Sequence, residues 1–393
     1  MKQIAILGHG VVGRGTAQML TANADKIKRL VGEEVRIKYI LDIRELPDSP
    51  WYDRIVHNFN VILNDPDVVL VAEAIGGLHP AYEYSLAALR AGKHVVTSNK
   101  ACVSRFGGPL TRAAEASGVS YLFEASCGGG IPLISPLLHN LSHNHITSVA
   151  GILNGTTNYI LTRMKEGGLS FDTALAEAQA KGYAEQDPTA DVDGFDAARK
   201  INIITAVLTG KLHEEDDIYT EGIRGVRGVD VLAAEKAGYA VKLLGRLADG
   251  VLFVSPHMVP ATSPLAHVND VFNAVMVHGD FVGDVMLYGQ GAGAEATASA
   301  VVADIIEALK HNTIVPPFRV THVLLEFPFY ACPRYLSVAE EDKALLLSLL
   351  HVPYEVMEVA EGEFACIVSS MREGELDHLK GKISLRAHLR VLE

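Results

Sequence analysis

The chain is poor in the residues that mark several protein classes. Its 393 residues hold four cysteines, one tryptophan, and 34 lysines and arginines against 47 aspartates and glutamates. Cys102, Cys127, Cys332 and Cys366 lie far apart and form no C-x-x-C pair, so neither a zinc ribbon nor a disulfide framework is indicated. Reduced thiols in a cytoplasm fit that spacing, and a cytoplasmic location is expected. No apolar run reaches the roughly 18 residues of a membrane span. The opening MKQIAILGHG meets glycine too early for a signal peptide and reads as a first strand. A net charge of −13 without a basic stripe argues against nucleic acid and against an anionic membrane as partners. There is no internal repeat and no low-complexity tract.

What is present is the balance of a globular protein, 49% apolar and 21% charged. The length implies two or three domains, since domains cluster near roughly 100 to 200 residues. Residues 3–7, 37–41, 68–73 and 94–100 read as short buried strands, with helices at 12–21 and 81–92 between them. Strands alternating with helices predict an α/β fold whose N-terminal part, 1–130, is a Rossmann-type doubly wound parallel sheet. The pattern changes at Gly130. A helix from Pro132, a strand at 146–153, helices near 156–166, 171–180 and 195–209, and strands near 251–259 and 281–288 predict a second α/β domain over 131–288. The glycine-rich then helical segment 289–312 is expected to return to the first domain. The tail, 333–393, reads as a small appended α+β module.

GHGVVG, residues 8–13, is G-x-G-x-x-G set between a strand and a helix. Gly8 permits the turn, Gly10 lets backbone approach a pyrophosphate, Gly13 permits close helix packing, and Val11 and Val12 open the helix whose N-terminus faces the anion. Asp42 ends the second strand, where a carboxylate accepts from a ribose 2′-hydroxyl and repels a 2′-phosphate. That favours NAD, while Arg44, two residues on, keeps NADP open.

EQDPTADVDGFDAARK, residues 185–200, crowds Glu185, Asp187, Asp191, Asp193 and Asp196 ahead of Lys200. An EF-hand alignment would put Lys200 at position twelve, which requires a bidentate glutamate, so calcium is excluded. A solvated loop is the plain alternative, because Asp196 and Lys200 are an i, i+4 pair such as any exposed helix carries. Against it, INIITAVL follows at once, placing the pair at the mouth of a core, where a lysine among carboxylates keeps its charge and can hand over a proton. His139 and His143, in HNLSHNH, have a zinc-compatible spacing but no Glu or Cys at a fitting distance, and read as a solvated helix end.

GHGVVG, VVTSNK (95–100), EASCGGGIP (124–132), NGTTNYI (154–160), GYAEQDPTADVDGFDAARK (182–200) and GAGAEATASAVVADI (291–305) together resemble homoserine dehydrogenase, in order, over about residues 1–312. The resemblance implies a nucleotide-binding domain, a catalytic and dimerising domain, and reversible NAD(P)-dependent interconversion of L-homoserine and L-aspartate 4-semialdehyde. It implies Lys200 as the acid or base at the carbonyl oxygen, Asp196 orienting it, and Lys100 as a second lysine near the nicotinamide. Glu185 would bind the substrate ammonium, with Asp191, Tyr183, Thr156 and Gly155 lining the pocket. Ile75, Gly76 and Gly293 are expected to touch the cofactor. A monovalent cation, typically sodium, is implied at Glu124, Cys127, Gly129 and Ile131, mainly on backbone carbonyls; without the resemblance this stretch reads as a glycine-rich hinge. Cys127 departs from an apolar residue common there, though its carbonyl can still serve. The tail lies where family members carry an ACT module that binds an amino acid. Here it is shortened and lacks the usual glycine after its first strand, so an interface-forming or degenerate module stands level with an amino-acid effector site. A homodimer or higher homo-oligomer is expected. The remaining alternatives are a catalytically silent NAD-binding regulator and a dehydrogenase for a related amino acid semialdehyde.

Overall fold

The computed structural model describes residues 1–321 and 326–393. The chain divides into two compact units, one of Met1–His143, Asn202–Glu215 and the segment from Gly289, the other of Asn144–Ile201, Asp216–Tyr288 and the C-terminal stretch.

The first unit is built on a parallel six-stranded sheet in the order Ile55–Val56, Val35–Leu41, Lys2–Leu7, Val68–Glu73, His94–Thr97, Tyr121–Leu122. Its strands are near-continuous apolar runs because both faces are covered, and Ile4, Ala5, Ile6, Leu7, Leu70 and Val71 are wholly buried. Strand order reverses between Lys2–Leu7 and Val68–Glu73, the place where such sheets open a crevice at their carboxyl ends. The helix Ala294–His311 packs on the helix Val11–Ala22 of the same unit, with Ala298 against Gly15. Among the boundaries that differ from the sequence reading, two lie next to quoted motifs. The fourth strand stops at Thr97 rather than running to 100, because the Asn99 side chain accepts from Cys102 N–H at 3.1 Å and starts the helix Lys100–Ser117. The helix expected from Pro132 begins at Ile134.

The second unit carries a mixed ten-stranded sheet whose path runs Gly283–Gln290, Phe272–Gly279, Ile146–Ile152, Tyr239–Ala248, Val251–Pro260, Ala387–Val391, Ala331–Ala339, Glu363–Arg372, Tyr354–Met357, with Tyr219–Thr220 beside Val251–Pro260. Tyr239–Ala248 lies mid-sheet, paired along its whole length with Val251–Pro260, yet the sequence reading passes over it because Lys242 and Arg246 break the apolar run. Lys242 is nevertheless buried. Its Nζ donates to Asn158 Oδ1 at 3.1 Å, Asn269 Oδ1 at 3.2 Å and the Val268 carbonyl, while burial pushes its pKa down to about 7. The tail strands continue this same sheet. Ala387–Val391 joins Val251–Pro260 in parallel, His257 opposite Arg390 and Met258 opposite Val391, instead of standing apart as a module. Among the described residues no helix is long and apolar enough to cross a membrane.

Candidate active site

In the second unit, the short helix Thr189–Val192 and a turn at Asp193–Gly194 lead into the helix Phe195–Thr209. Its first turn carries Asp196, and Lys200 follows one turn later on the same face. Both are buried, at 4% and 8% exposed, and Lys200 Nζ donates to Asp196 Oδ2 at 2.8 Å and to the Leu153 carbonyl at 2.7 Å. The helix continues through Ile201, Ile203 and Ile204, all wholly buried. A lysine at the rim of an apolar helix can exchange a proton with a bound hydroxyl or carbonyl.

Asn154, at the N-terminus of the helix Gly155–Gly167, donates to Asp191 Oδ1 at 2.7 Å and to Asp196 Oδ2 at 2.9 Å. The structure thus brings together Lys200, Asp196, Asp191 and Asn154; the last lies in the quoted NGTTNYI motif but was singled out for nothing. The signal available was its place as a capping asparagine ahead of a helix. Around this group, Thr156 Oγ1 donates to the Tyr183 carbonyl at 2.6 Å, fixing the turn after the helix Phe171–Ala180. The Tyr183 ring is 45% exposed and meets Tyr159 edge-on at 5.0 Å. Glu185 is exposed, and its backbone carbonyl accepts from Gln179 Nε2 at 3.1 Å. The other acids of the loop have structural work: Asp187 Oδ1 accepts from Thr189 N–H at 3.1 Å, and Asp193 pairs with Arg224.

In the first unit, a cavity of about 330 Å³ is lined by Gly8, Gly10, Asp42, Arg44, His57, Ile75 and Tyr84, among others. A Cβ on Gly13 would stand 1.9 Å from the Gly8 carbonyl oxygen, so only glycine lets strand and helix approach this closely, whereas a Cβ on Gly10 would meet nothing within 4 Å. Val11, 66% exposed, and Val12 open a helix with no acidic residue in its first turn, leaving its N–H groups suited to a phosphate. The residues therefore fit a dinucleotide. Asp42 is already engaged. Its Oδ1 accepts from Arg44 N–H at 3.0 Å and Nε at 2.9 Å, and its Oδ2 from Arg44 Nη2 at 2.9 Å and His9 N–H at 2.8 Å. Arg44 above all, with these amides, holds the Asp42 carboxyl well below the usual range against the opposing pull of burial.

Glu73, unremarked in the sequence reading, ends the strand before Ile75 and Gly76. It is 1% exposed; its Oε1 accepts from Ile75 N–H at 2.7 Å and its Oε2 from Thr97 O–H at 2.6 Å. Burial raises its pKa. One carboxylate thereby ties the loop of Ile75 and Gly76 to the turn that ends in Lys100, the first residue of its helix. Gly293 immediately precedes the helix Ala294–His311 at φ +129°.

EASCGGGIP forms a one-turn 3-10 helix at Glu124–Ser126 and a glycine turn, also in the first unit. The Glu124 carboxylate accepts from the N–H groups of Leu133 at 2.6 Å, Ile134 at 2.8 Å and Ser135 at 2.7 Å, and so caps the helix Ile134–His139. Burial raises Glu124. With that side chain occupied, the oxygens left to a cation are carbonyls, and hard monovalent ions take carbonyl oxygen readily. Gly129 has φ +59° and a Cβ there would fall 2.4 Å from the Gly291 carbonyl, so this turn needs glycine. Cys127 and Ile131 are buried beside it. The residues present fit a carbonyl-held cation.

Family models described as homoserine dehydrogenase and as homoserine dehydrogenase, NAD binding domain, match residues 132–306 and 8–124. The homoserine dehydrogenase of a Synechocystis strain is 44% identical over 316 residues, 77% of this chain and 72% of its own length. Among solved structures, a homoserine dehydrogenase from Thiobacillus denitrificans aligns at TM-score 0.89 and 33% identity, over 100% of this chain and 98% of that one. A hyperthermophilic archaeal homoserine dehydrogenase in complex with NADPH aligns at TM-score 0.68 and 28% identity, over 78% of this chain and 98% of that one.

Proposed function

The chain belongs to the homoserine dehydrogenase family, and we propose that Lys200 carries the proton in the interconversion of L-homoserine and L-aspartate 4-semialdehyde. It is an oxidoreductase of amino-acid biosynthesis that uses a nicotinamide cofactor. The observation that carries the assignment to Lys200 is its buried ammonium, 2.8 Å from Asp196 on one helix face. In the oxidative direction Lys200 Nζ would take the proton of the 4-hydroxyl, and in the reductive direction it would return that proton to the carbonyl oxygen. Bound nicotinamide supplies the hydride acceptor or donor. Asp196 stabilises the protonated lysine and fixes its direction. Asp191 and the exposed Glu185 are proposed to hold the substrate ammonium, and Gly155, Thr156 and Tyr183 to line the pocket. Lys100 is proposed as a second proton carrier.

For the cofactor, Gly8, Gly10, Val11, Val12 and Gly13 would hold the pyrophosphate, and Ile75, Gly76 and Gly293 would border it. The engaged Asp42 carboxylate supports NAD, since it repels a 2′-phosphate while occupying the guanidinium nearest to one. Arg44, with a 55% exposed side chain, is the observation behind the second reading, NADP. The carbonyls of Glu124, Cys127, Gly129 and Ile131 are proposed to hold sodium, and the chain to act as a homodimer. An amino-acid effector on the tail remains the proposal for that region.

Initial rates with L-homoserine against NAD and NADP in turn, with and without threonine, test substrate, cofactor and effector together. In the same assay Lys200→Ala is expected to abolish turnover while dinucleotide still binds by fluorescence titration. Near wild-type oxidation by that variant would remove Lys200 from the mechanism.

A further inference from the structure

Asn154 is 5% exposed and uses every hydrogen-bonding group of its side chain. The Oδ1 accepts from Thr157 N–H at 2.8 Å, capping the helix Gly155–Gly167, and the two N–H groups go separately to Asp191 Oδ1 and Asp196 Oδ2. The Asp196 oxygen so engaged is the one that also accepts from Lys200 Nζ. The residue before it, Leu153, supplies the carbonyl that takes another Lys200 proton. One turn of chain after the strand Ile146–Ile152 therefore presents an acceptor and a donor to the lysine–carboxylate pair.

Serine, threonine and aspartate cap helices about as well as asparagine. Of the four, only asparagine offers an acceptor for the cap and two further donors at once. Two carboxylates this close repel each other, and each needs a donor to stay ionised out of water. A lysine or arginine would supply donors but compete with Lys200 for Asp196; a neutral amide does not. We propose that Asn154 is a positioning residue that binds Asp191 and Asp196 side by side and turns Asp196 Oδ2 towards Lys200. This rests on the reading of Lys200 as the proton carrier.

The test uses the full-length enzyme with Asn154→Ser and Asn154→Asp, both of which retain a cap on the helix, and Asn154→Ala and Lys200→Ala alongside. Asn154→Ser is expected to lower kcat for homoserine oxidation by roughly ten- to a hundredfold, the scale of a small misplacement of a reacting group. The KM for dinucleotide should stay at its wild-type value. Asn154→Asp, which removes both donors and adds a third carboxylate, should be slower still with the same KM for dinucleotide. Wild-type kcat in either variant overturns the proposal. So does a loss of kcat confined to Asn154→Ala, which removes the cap as well, with Asn154→Ser at the wild-type rate, which would make Asn154 a helix cap alone. Persistent activity in Lys200→Ala would instead sink the underlying assignment of the lysine, which separates the two failures.

Discussion

Asp42 and Arg44 show how a single pair can set a preference. The carboxylate that would accept from a ribose hydroxyl also accepts from the guanidinium two residues on and from His9 N–H. Asp42→Ala removes a charge-assisted acceptor and releases Arg44. A hydrogen bond to a charged group contributes about 1.5–3 kcal/mol, so the ratio of kcat/KM for NADP to that for NAD is expected to rise by roughly ten- to a hundredfold. Steady-state kinetics with both nucleotides checks this, and an unchanged ratio would take cofactor choice away from this strand end. At this scale the sequence exposed the residue types: Lys200, Asp196, Asp42 and the glycines all stand in spaced motifs. It concealed Asn154 and Glu73. Their importance lies in which atoms they join across 37 and 24 residues of chain, and a residue letter does not carry that.

Among the elements, the strand Ala387–Val391 is held by a buried cluster. Arg390 donates through Nε and Nη2 to the Glu373 oxygens at 2.7 and 2.9 Å, and Arg334 Nη2 donates to Glu373 Oε1 at 2.7 Å. Arg390 Nη1 reaches Glu221 at 2.8 Å. Burial alone would raise Glu373, but Arg390 and Arg334 together hold it below the ordinary carboxylate value. A carboxyl lowered in the folded state contributes stability above its unfolded pKa of about 4.3, and that contribution is lost as pH falls through the lower folded value. Glu373→Gln takes the carboxylate from buried Arg334 and leaves Arg390 to that of Glu221, and is expected to destabilise by roughly 3–5 kcal/mol near neutral pH. Urea unfolding at pH 7 and pH 4 should show the gap between wild type and variant shrinking at the lower pH; a constant gap would mean that charge is not the cause. The sequence marks a strand, a helix, two strands and a second helix in the tail but not Ala387–Val391, and Tyr239–Ala248 also stayed hidden. Lys242 sits in that strand on oxygens contributed by Asn158, Val268 and Asn269, so its burial depends on partners distant in sequence.

For the whole molecule, the ten-stranded sheet makes the C-terminal stretch part of the second unit. Removing residues 331–393 would bare one edge of Val251–Pro260 and take Arg390 from Glu221 and from the face of Phe253, which is wholly buried. The shortened chain is expected to melt at a lower temperature and to self-associate. Thermal melting with size-exclusion chromatography decides it: a monodisperse truncated protein with a wild-type midpoint would show the tail to be dispensable to the sheet. By itself the sequence determined the parallel α/β first unit, the dinucleotide loop, the acid-rich approach to Lys200 and the family, because apolar period, glycine spacing and motif order are local properties of a chain. Tertiary structure alone decided that Asn154 joins two carboxylates, that Glu73 ties two loops, and that the tail completes a sheet rather than standing apart. Those outcomes depend on hydrogen-bond partners and strand edges brought together from distant positions, which no local pattern specifies.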